Sequence, residues 1–142
     1  MRRVKECTGK WISVLHRQLH CYLNKELEEI NLTTGDYIYI AYLIENGDGI
    51  SQDCLVKNLY IDKAAVARSV ASLEKKGFLI RTEDSVDKRK KRVFLTKEGK
   101  ALHKPLFNIL DEWEEKLSDG KDQKNIKITV DTLQEMSKDI LK

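Results

Sequence analysis

Between Asp62 and Thr96 the apolar period changes once, from helical to alternating, and this constrains the fold more than any other stretch. Asp62 is a natural helix cap. Val66, Val70 and Leu73 then recur on one side when the chain is stepped at ~100° per residue. Ala64, Arg68, Ala71 and Lys75 fall on the opposite side. Gly77 suits the helix end, with Lys75 and Lys76 in its negative last turn. Two short strand-like stretches follow, Phe78–Glu83 and Lys91–Thr96, separated by the polar, basic segment Asp84–Lys90. A single proline and seven glycines leave little material for a turn-rich all-β chain.

The flanking segments read as helices. Ile12, Leu15, Leu19, Tyr22, Leu23 and Leu27 recur at helical spacing, which predicts a long amphipathic helix from about Lys10 to Glu29. Thr33, followed by Asp36, resembles a capping box before the apolar helix that carries Tyr37, Ile38, Ile40, Ala41, Leu43 and Ile44. Asn46-Gly47-Asp48-Gly49 stops that helix, and Ser51 caps a short one carrying Leu55 and Val56 that ends near Asn58. Thr96 is expected to cap a long helix running to about Leu117, bent at Pro105. Ser118–Asn125 reads as a polar link. A last helix from about Thr129 carries Val130, Leu133, Met136, Ile140 and Leu141. Helix, helix, short turn, helix and two-stranded hairpin is the order of a winged helix-turn-helix. The expected fold is therefore mainly α with a small β-hairpin wing.

Charge is concentrated in the same place. Residues 1–61 hold seven basic and eight acidic side chains, residues 62–105 hold 13 and six, and residues 106–142 hold six and nine. Lys88, Arg89, Lys90, Lys91 and Arg92 form an unbroken cationic run. A run of this kind can be a solvated loop. Beside a helix whose outward face carries small and basic residues, it points instead to phosphate contact and base reading.

Residues 51–99 resemble the multiple-antibiotic-resistance regulator (MarR) family. The resemblance is carried by Ser51-Gln52-Asp53-Cys54-Leu55, by Ile61-Asp62-Lys63-Ala64-Ala65-Val66-Ala67-Arg68, and by Leu73-Glu74-Lys75-Lys76-Gly77-Phe78-Leu79. Asp87-Lys88-Arg89 followed by Val93-Phe94-Leu95-Thr96-Lys97-Glu98-Gly99 is similar to the family's D-x-R … L-T-x-x-G signature. The resemblance implies one domain over 1–142, with a DNA-binding module at 31–100 and dimerisation helices at 1–30 and 101–142 that interlock between two subunits. Carried over, it makes Arg89 the wing-tip arginine for the minor groove, Asp87 its holder, and Arg68 the recognition-helix arginine. Lys63, Ala64, Ser72, Lys75, Lys88, Lys90 and Lys91 complete the expected DNA-contacting set. Ala64, Ala65 and Ala67 stand where relatives often carry Ser or Thr, and Tyr60 stands at a turn position where Gly is common. The resemblance also implies a small aromatic or phenolic inducer, with Trp11, Tyr22 and Tyr37 as candidate pocket residues.

The function expected is a transcription regulator, specifically a repressor that binds a palindromic operator as a homodimer and is released by a small ligand. A cysteine-based redox regulator and a non-specific nucleic-acid-binding protein stay open beside it. Cys7, with Tyr37, Tyr39 and Tyr42 as neighbours, is reminiscent of the family's peroxide-sensing branch; Cys21 and Cys54 are the other candidates. No nucleophile-base spacing and no phosphate-cradling glycine loop marks an enzyme, and no cofactor is expected. His16 and His20 have a two-ligand metal spacing, but His103 is isolated and no metal site is expected. Arg2, Arg3 and Lys5 precede no secretory apolar region, and the longest apolar run, Tyr37–Ile44, is too short for a bilayer. The expected setting is cytoplasmic, with double-stranded DNA and a second copy of the chain as partners and no membrane.

Overall fold

The computed structural model describes Met1 and residues 3–140. Arg2, Lys142 and Leu141, the last expected on the final apolar helix face, lie outside the described residues. A short 3-10 turn at Val4–Glu6 precedes α1 (Thr8–Glu28) and α2 (Tyr37–Asn46). There follow β1 (Ile50–Ser51), α3 (Gln52–Leu59), α4 (Lys63–Lys75), β2 (Leu79–Glu83) and β3 (Lys91–Leu95). The chain then forms α5 (Lys97–Ala101), α6 (His103–Ser118) and α7 (Gln123–Ile140). The strands make one antiparallel sheet in the order β1-β3-β2. This is a mainly helical winged helix-turn-helix. Two compact units divide the chain, one comprising Met1–Ile109 and the other starting at Leu110.

The first unit is organised around one apolar core. Leu23 and Leu27 of α1, Tyr39, Ile40 and Leu43 of α2, Leu55 of α3, and Val66, Val70 and Leu73 of α4 are buried. Leu79, Val93 and Leu106 close it. The i, i+4, i+7 stripe of α4 thus packs inward as its spacing requires. The wing strands run from Leu79 opposite Leu95 to Glu83 opposite Lys91, so alternate residues face α4.

Local caps follow the sequence closely. Ser51 Oγ accepts from Cys54 N at 3.1 Å, Asp62 Oδ1 from Ala65 N at 2.8 Å, and Thr96 Oγ1 from Gly99 N at 3.0 Å. Tyr60, at the α3 end, is left-handed with φ 56°, a conformation that disfavours a bulky side chain.

Three expectations need correction. Thr96 caps only α5, because the expected long helix is interrupted at Leu102 and restarts as α6. Pro105 lies in the first turn of α6, where its missing N–H costs little, and the chain turns at Leu102, whose N–H donates back to the Gly99 carbonyl at 3.2 Å. The last helix begins at Gln123, six residues earlier than its apolar period indicates, because Asp122 Oδ1 accepts from Lys124 N at 2.9 Å. β1 was also missed, being two residues that gain strand character only by pairing Ile50 with Val93 and Ser51 with Arg92.

The amphipathic ends are uncovered. No residue of α7 within the described set is buried, and Ile128, Val130, Leu133, Met136 and Ile140 are all exposed. On α1 the apolar face is buried at Leu23 and Leu27 but exposed at Trp11, Ile12 and Leu15.

Candidate nucleic-acid interface

Lys63, Ala64, Arg68, Ser72 and Lys75 of α4 are exposed; Ala64, Arg68 and Lys75 lie opposite Val66, Val70 and Leu73, Ser72 lies on a flank, and Lys63 projects from the first turn on the Val70 side. The helix begins three residues after the strained Tyr60 turn, with the Asp62 carboxylate accepting from the free N–H of Ala65. Small Ala64 lets the backbone approach a partner closely, while Arg68 supplies a planar donor. Among the described residues no carboxylate forms an ion pair with Lys63, Arg68 or Lys75.

The wing brings the second group of cations. Arg89 is almost fully exposed, at 93% of its side chain, and both its backbone N–H (3.0 Å) and Nε (3.3 Å) donate to Asp87 Oδ1. Lys88 and Lys90 are exposed and unpaired with any carboxylate among the described residues, while Lys91 stands 3.7 Å from Glu83. Asp87 therefore restrains the arginine without burying its charge.

Asp84 organises this loop and was not singled out in the sequence. It is buried, its Oδ1 accepts from Val86 N (2.8 Å) and Asp87 N (3.2 Å), and its Oδ2 accepts from Arg92 Nε (2.7 Å). The two backbone N–H groups, and then Arg92, hold its carboxyl below the ordinary aspartate range. Arg92 also donates to the Gly49 carbonyl at 2.6 Å. The fifth cation of the run is thus a stitch between the wing and the β1 turn. An Asp-Ser-Val-Asp sequence is an Asx-turn signal, and it was legible.

The base of the wing is equally specific. Glu74 accepts from Arg81 N at 2.9 Å and from the Arg81 guanidinium at 3.1 Å, and that backbone N–H followed by the side chain holds its carboxyl low. Thr96 Oγ1 donates to the Gly77 carbonyl at 2.6 Å, and Thr96 N to the Phe78 carbonyl at 3.0 Å. A Cβ on Gly99 would overlap that same Phe78 oxygen, so the glycine of L-T-x-x-G is a steric requirement.

The expected ligand pocket is not assembled in one chain. Trp11 and Tyr22 are both on α1, three turns or roughly 16 Å apart, too far to share a small molecule. Trp11 is exposed and donates from Nε1 to the Lys5 carbonyl at 2.8 Å; Tyr22 donates to the Ile109 carbonyl at 2.8 Å. Tyr37 is half-buried, and burial raises its phenol above the ordinary value. A cavity of about 280 Å³ lies instead among Leu43, Ile44, Asp48, Leu95, Lys100 and His103.

The His16 and His20 rings are 5.0 Å apart, but no group of three metal-ligating side chains gathers among the described residues. The cysteines are unpaired; Cys7 and Cys54 are half-buried and Cys21 is exposed. Among the described residues no helix is long and apolar enough to cross a membrane.

The MarR family model matches residues 30–90, which hold α2 to the wing. The HTH-type transcriptional regulator YybA of Bacillus subtilis is 33% identical over 92 residues, covering 65% of this chain and 61% of that protein. The matched stretches span 55–61% of the length of the first curated relatives. The solved structure of a MarR transcriptional regulator from Methanosarcina mazei Go1 is 36% identical, covers 94% of this chain and 95% of its own, and superposes with a TM-score of 0.83. A MarR-family transcriptional regulator from Listeria monocytogenes, solved with a 26mer DNA, is 28% identical, covers 99% of this chain and 90% of its own, and superposes with a TM-score of 0.87.

Proposed function

From the premise that this chain belongs to the MarR family, we propose that it is a transcription regulator whose homodimer binds a palindromic operator and represses until a small ligand releases it. One observation carries the DNA half of this reading. Helix α4 and the wing tip together present Lys63, Arg68, Lys75, Lys88, Arg89 and Lys90 free of burial. All but Arg89, which Asp87 restrains, lack a carboxylate partner among the described residues, and such solvated cations are suited to a polyanion, because each phosphate they neutralise releases condensed counterions. The small residues on α4 allow entry to a major groove, while Arg89 suits the stronger negative potential of a narrow minor groove. The relative from Listeria monocytogenes was solved with DNA, which supports the same reading.

The dimer half rests on the uncovered apolar faces of α1 and α7. A second copy of the chain covers such faces symmetrically and doubles the DNA contacts. Its recognition helices would then enter major grooves one duplex turn apart, roughly 34 Å. The ligand half is supported by the cavity among Leu43, Ile44 and Leu95, an apolar lining with Asp48, Lys100 and His103 as its polar groups, a setting suited to a small, mostly apolar molecule.

Footprinting on duplexes selected from a random pool tests the proposal. One protected inverted repeat, bound far more tightly than unrelated duplex at equal salt, is the expected result. Equal affinity for every sequence would make the protein a non-specific nucleic-acid binder instead.

A further inference from the structure

Lys76, one residue beyond α4, does more than complement the helix dipole. Its Nζ donates to the Asn31 carbonyl at 3.0 Å and pairs with Asp36 Oδ2 at 2.9 Å. Asp36 is buried, its side chain 5% exposed, and its other oxygen accepts from Thr33 N at 2.7 Å. Seven residues earlier on the same helix edge, Ser69 Oγ donates to the Gly35 carbonyl at 3.2 Å. These two anchors of α4 therefore both reach the segment 31–36, Ser69 also hydrogen-bonding the Tyr39 phenol of α2, and they sit about 10 Å apart along the helix.

That segment is itself fastened to α1. Asn31 N donates to the Glu28 carbonyl at 3.1 Å and Leu32 N to the Leu27 carbonyl at 3.0 Å, with Asn31 left-handed at φ 58°. A continuous path of hydrogen bonds runs from the end of α1 through Asn31 and Asp36 to the end of α4. Stepping ~100° per residue, the edge carrying Ser69 and Lys76 lies between the buried stripe and the outward stripe of Arg68 and Lys75. An anchor there controls rotation about the helix axis. A turn of ~20° would carry a side-chain tip at ~6 Å radius through ~2 Å, more than a base-edge hydrogen bond tolerates.

We infer that Lys76 is a positioning residue for DNA reading: with Asp36 it locks the recognition helix to the end of α1, and so sets both the azimuth of Arg68 and the half-site spacing that a dimer accepts. The inference rests on the DNA-binding reading above and names the element through which the arm reaches the reading head.

Lys76→Met keeps the apolar stem and removes the ammonium. The probes are the duplex that the parent protein itself enriches from a random pool, the same duplex with its half-sites moved by one base pair, and an unrelated duplex. The full-length variant is expected to bind the enriched duplex about tenfold more weakly and the unrelated duplex as the parent does. It should also lose most of the parent's preference for the original spacing. Its salt dependence on the enriched duplex should match the parent's, since Lys76 faces Asp36 and not a phosphate. Unchanged affinity and spacing preference would overturn the inference. So would an equal loss on all three duplexes with a shallower salt dependence, which would make Lys76 a phosphate contact. If Lys76→Met melts below the assay temperature, Lys76→Gln, which retains a donor for the Asn31 carbonyl, goes through the same comparison with the same deciding outcomes. A parent protein that enriches no duplex would defeat the regulator reading itself, a result separable from any effect at Lys76.

Discussion

Gly99→Ala should cost stability although Ala is the better helix former. Gly99 is buried in α5 directly over the hydrogen bond that closes the wing, Thr96 N to the Phe78 carbonyl at 3.0 Å. The added Cβ would overlap the Phe78 oxygen and come within 3.2 Å of Leu95 Cδ2. A backbone oxygen held at the start of β2 by the Thr96 N–H cannot swing aside as a side chain can. Overpacking of this kind costs ~1–3 kcal/mol, and disturbing the wing bond puts another ~0.5–1.5 kcal/mol at risk. Helix propensity returns about 1 kcal/mol. The balance is a loss of ~0.5–3.5 kcal/mol, or a melting temperature lower by ~2–12 °C for a chain of this length. Gly9→Ala provides the control, because nothing lies within 4 Å of its added Cβ in α1. It should raise stability by ~0.5–1 kcal/mol. The assay is thermal unfolding at one fixed protomer concentration, since an associating protein's midpoint depends on it. If Gly99→Ala melts with the parent or above it, the steric account of L-T-x-x-G is wrong.

Arg68→Ala is expected to weaken operator binding by ~1–3 kcal/mol and to relax sequence preference at one position of each half-site; equal loss on unrelated duplex would contradict base reading. Arg89→Ala should instead lose most where the flanks are A·T-rich, and indifference to flank composition in a titration series would count against minor-groove entry. Sedimentation equilibrium at micromolar concentration should give twice the 16.5 kDa chain mass, and Leu133→Glu on the exposed α7 face should shift it toward one chain. Because the Asp84 carboxyl sits below its ordinary value, the wing stability it contributes is present above that ordinary value and disappears as pH falls through the lower folded one. The protection of the Val86 and Asp87 amides, taken relative to their intrinsic exchange rates at each pH, should therefore fall on strong acidification in the parent, and Asp84→Asn should abolish that acid step; an acid step of the same size in Asp84→Asn would remove Asp84 as its source.

The order of elements, the capping residues and the two faces of α4 were legible because each is a short-range rule. A cap reaches three residues ahead, as Ser51, Asp62 and Thr96 do, and a helical stripe repeats within two turns, as Val66, Val70 and Leu73 do. The left-handed turn at Tyr60 was signalled only by the family resemblance, which puts Gly at that position. The candidate DNA-contacting cations were found in the same way, from a face and from a run. Sorting that run required the fold. Arg92 lies next to Lys91 in sequence, yet it is tied to Gly49, 43 residues away, while Lys88, Arg89 and Lys90 stay in water. Lys76 looked like a helix-end charge until Asp36, 40 residues distant, arrived beside it. β1 exists only because β3 lies alongside, and α5 and α6 part at Leu102 within a stretch whose apolar period runs on unbroken. Spacing along a chain encodes which groups share a helix face or a turn. Which distant carbonyl or carboxylate satisfies a given donor is decided only when packing brings the segments together, because a buried polar group must then find whatever partner lies within ~3 Å.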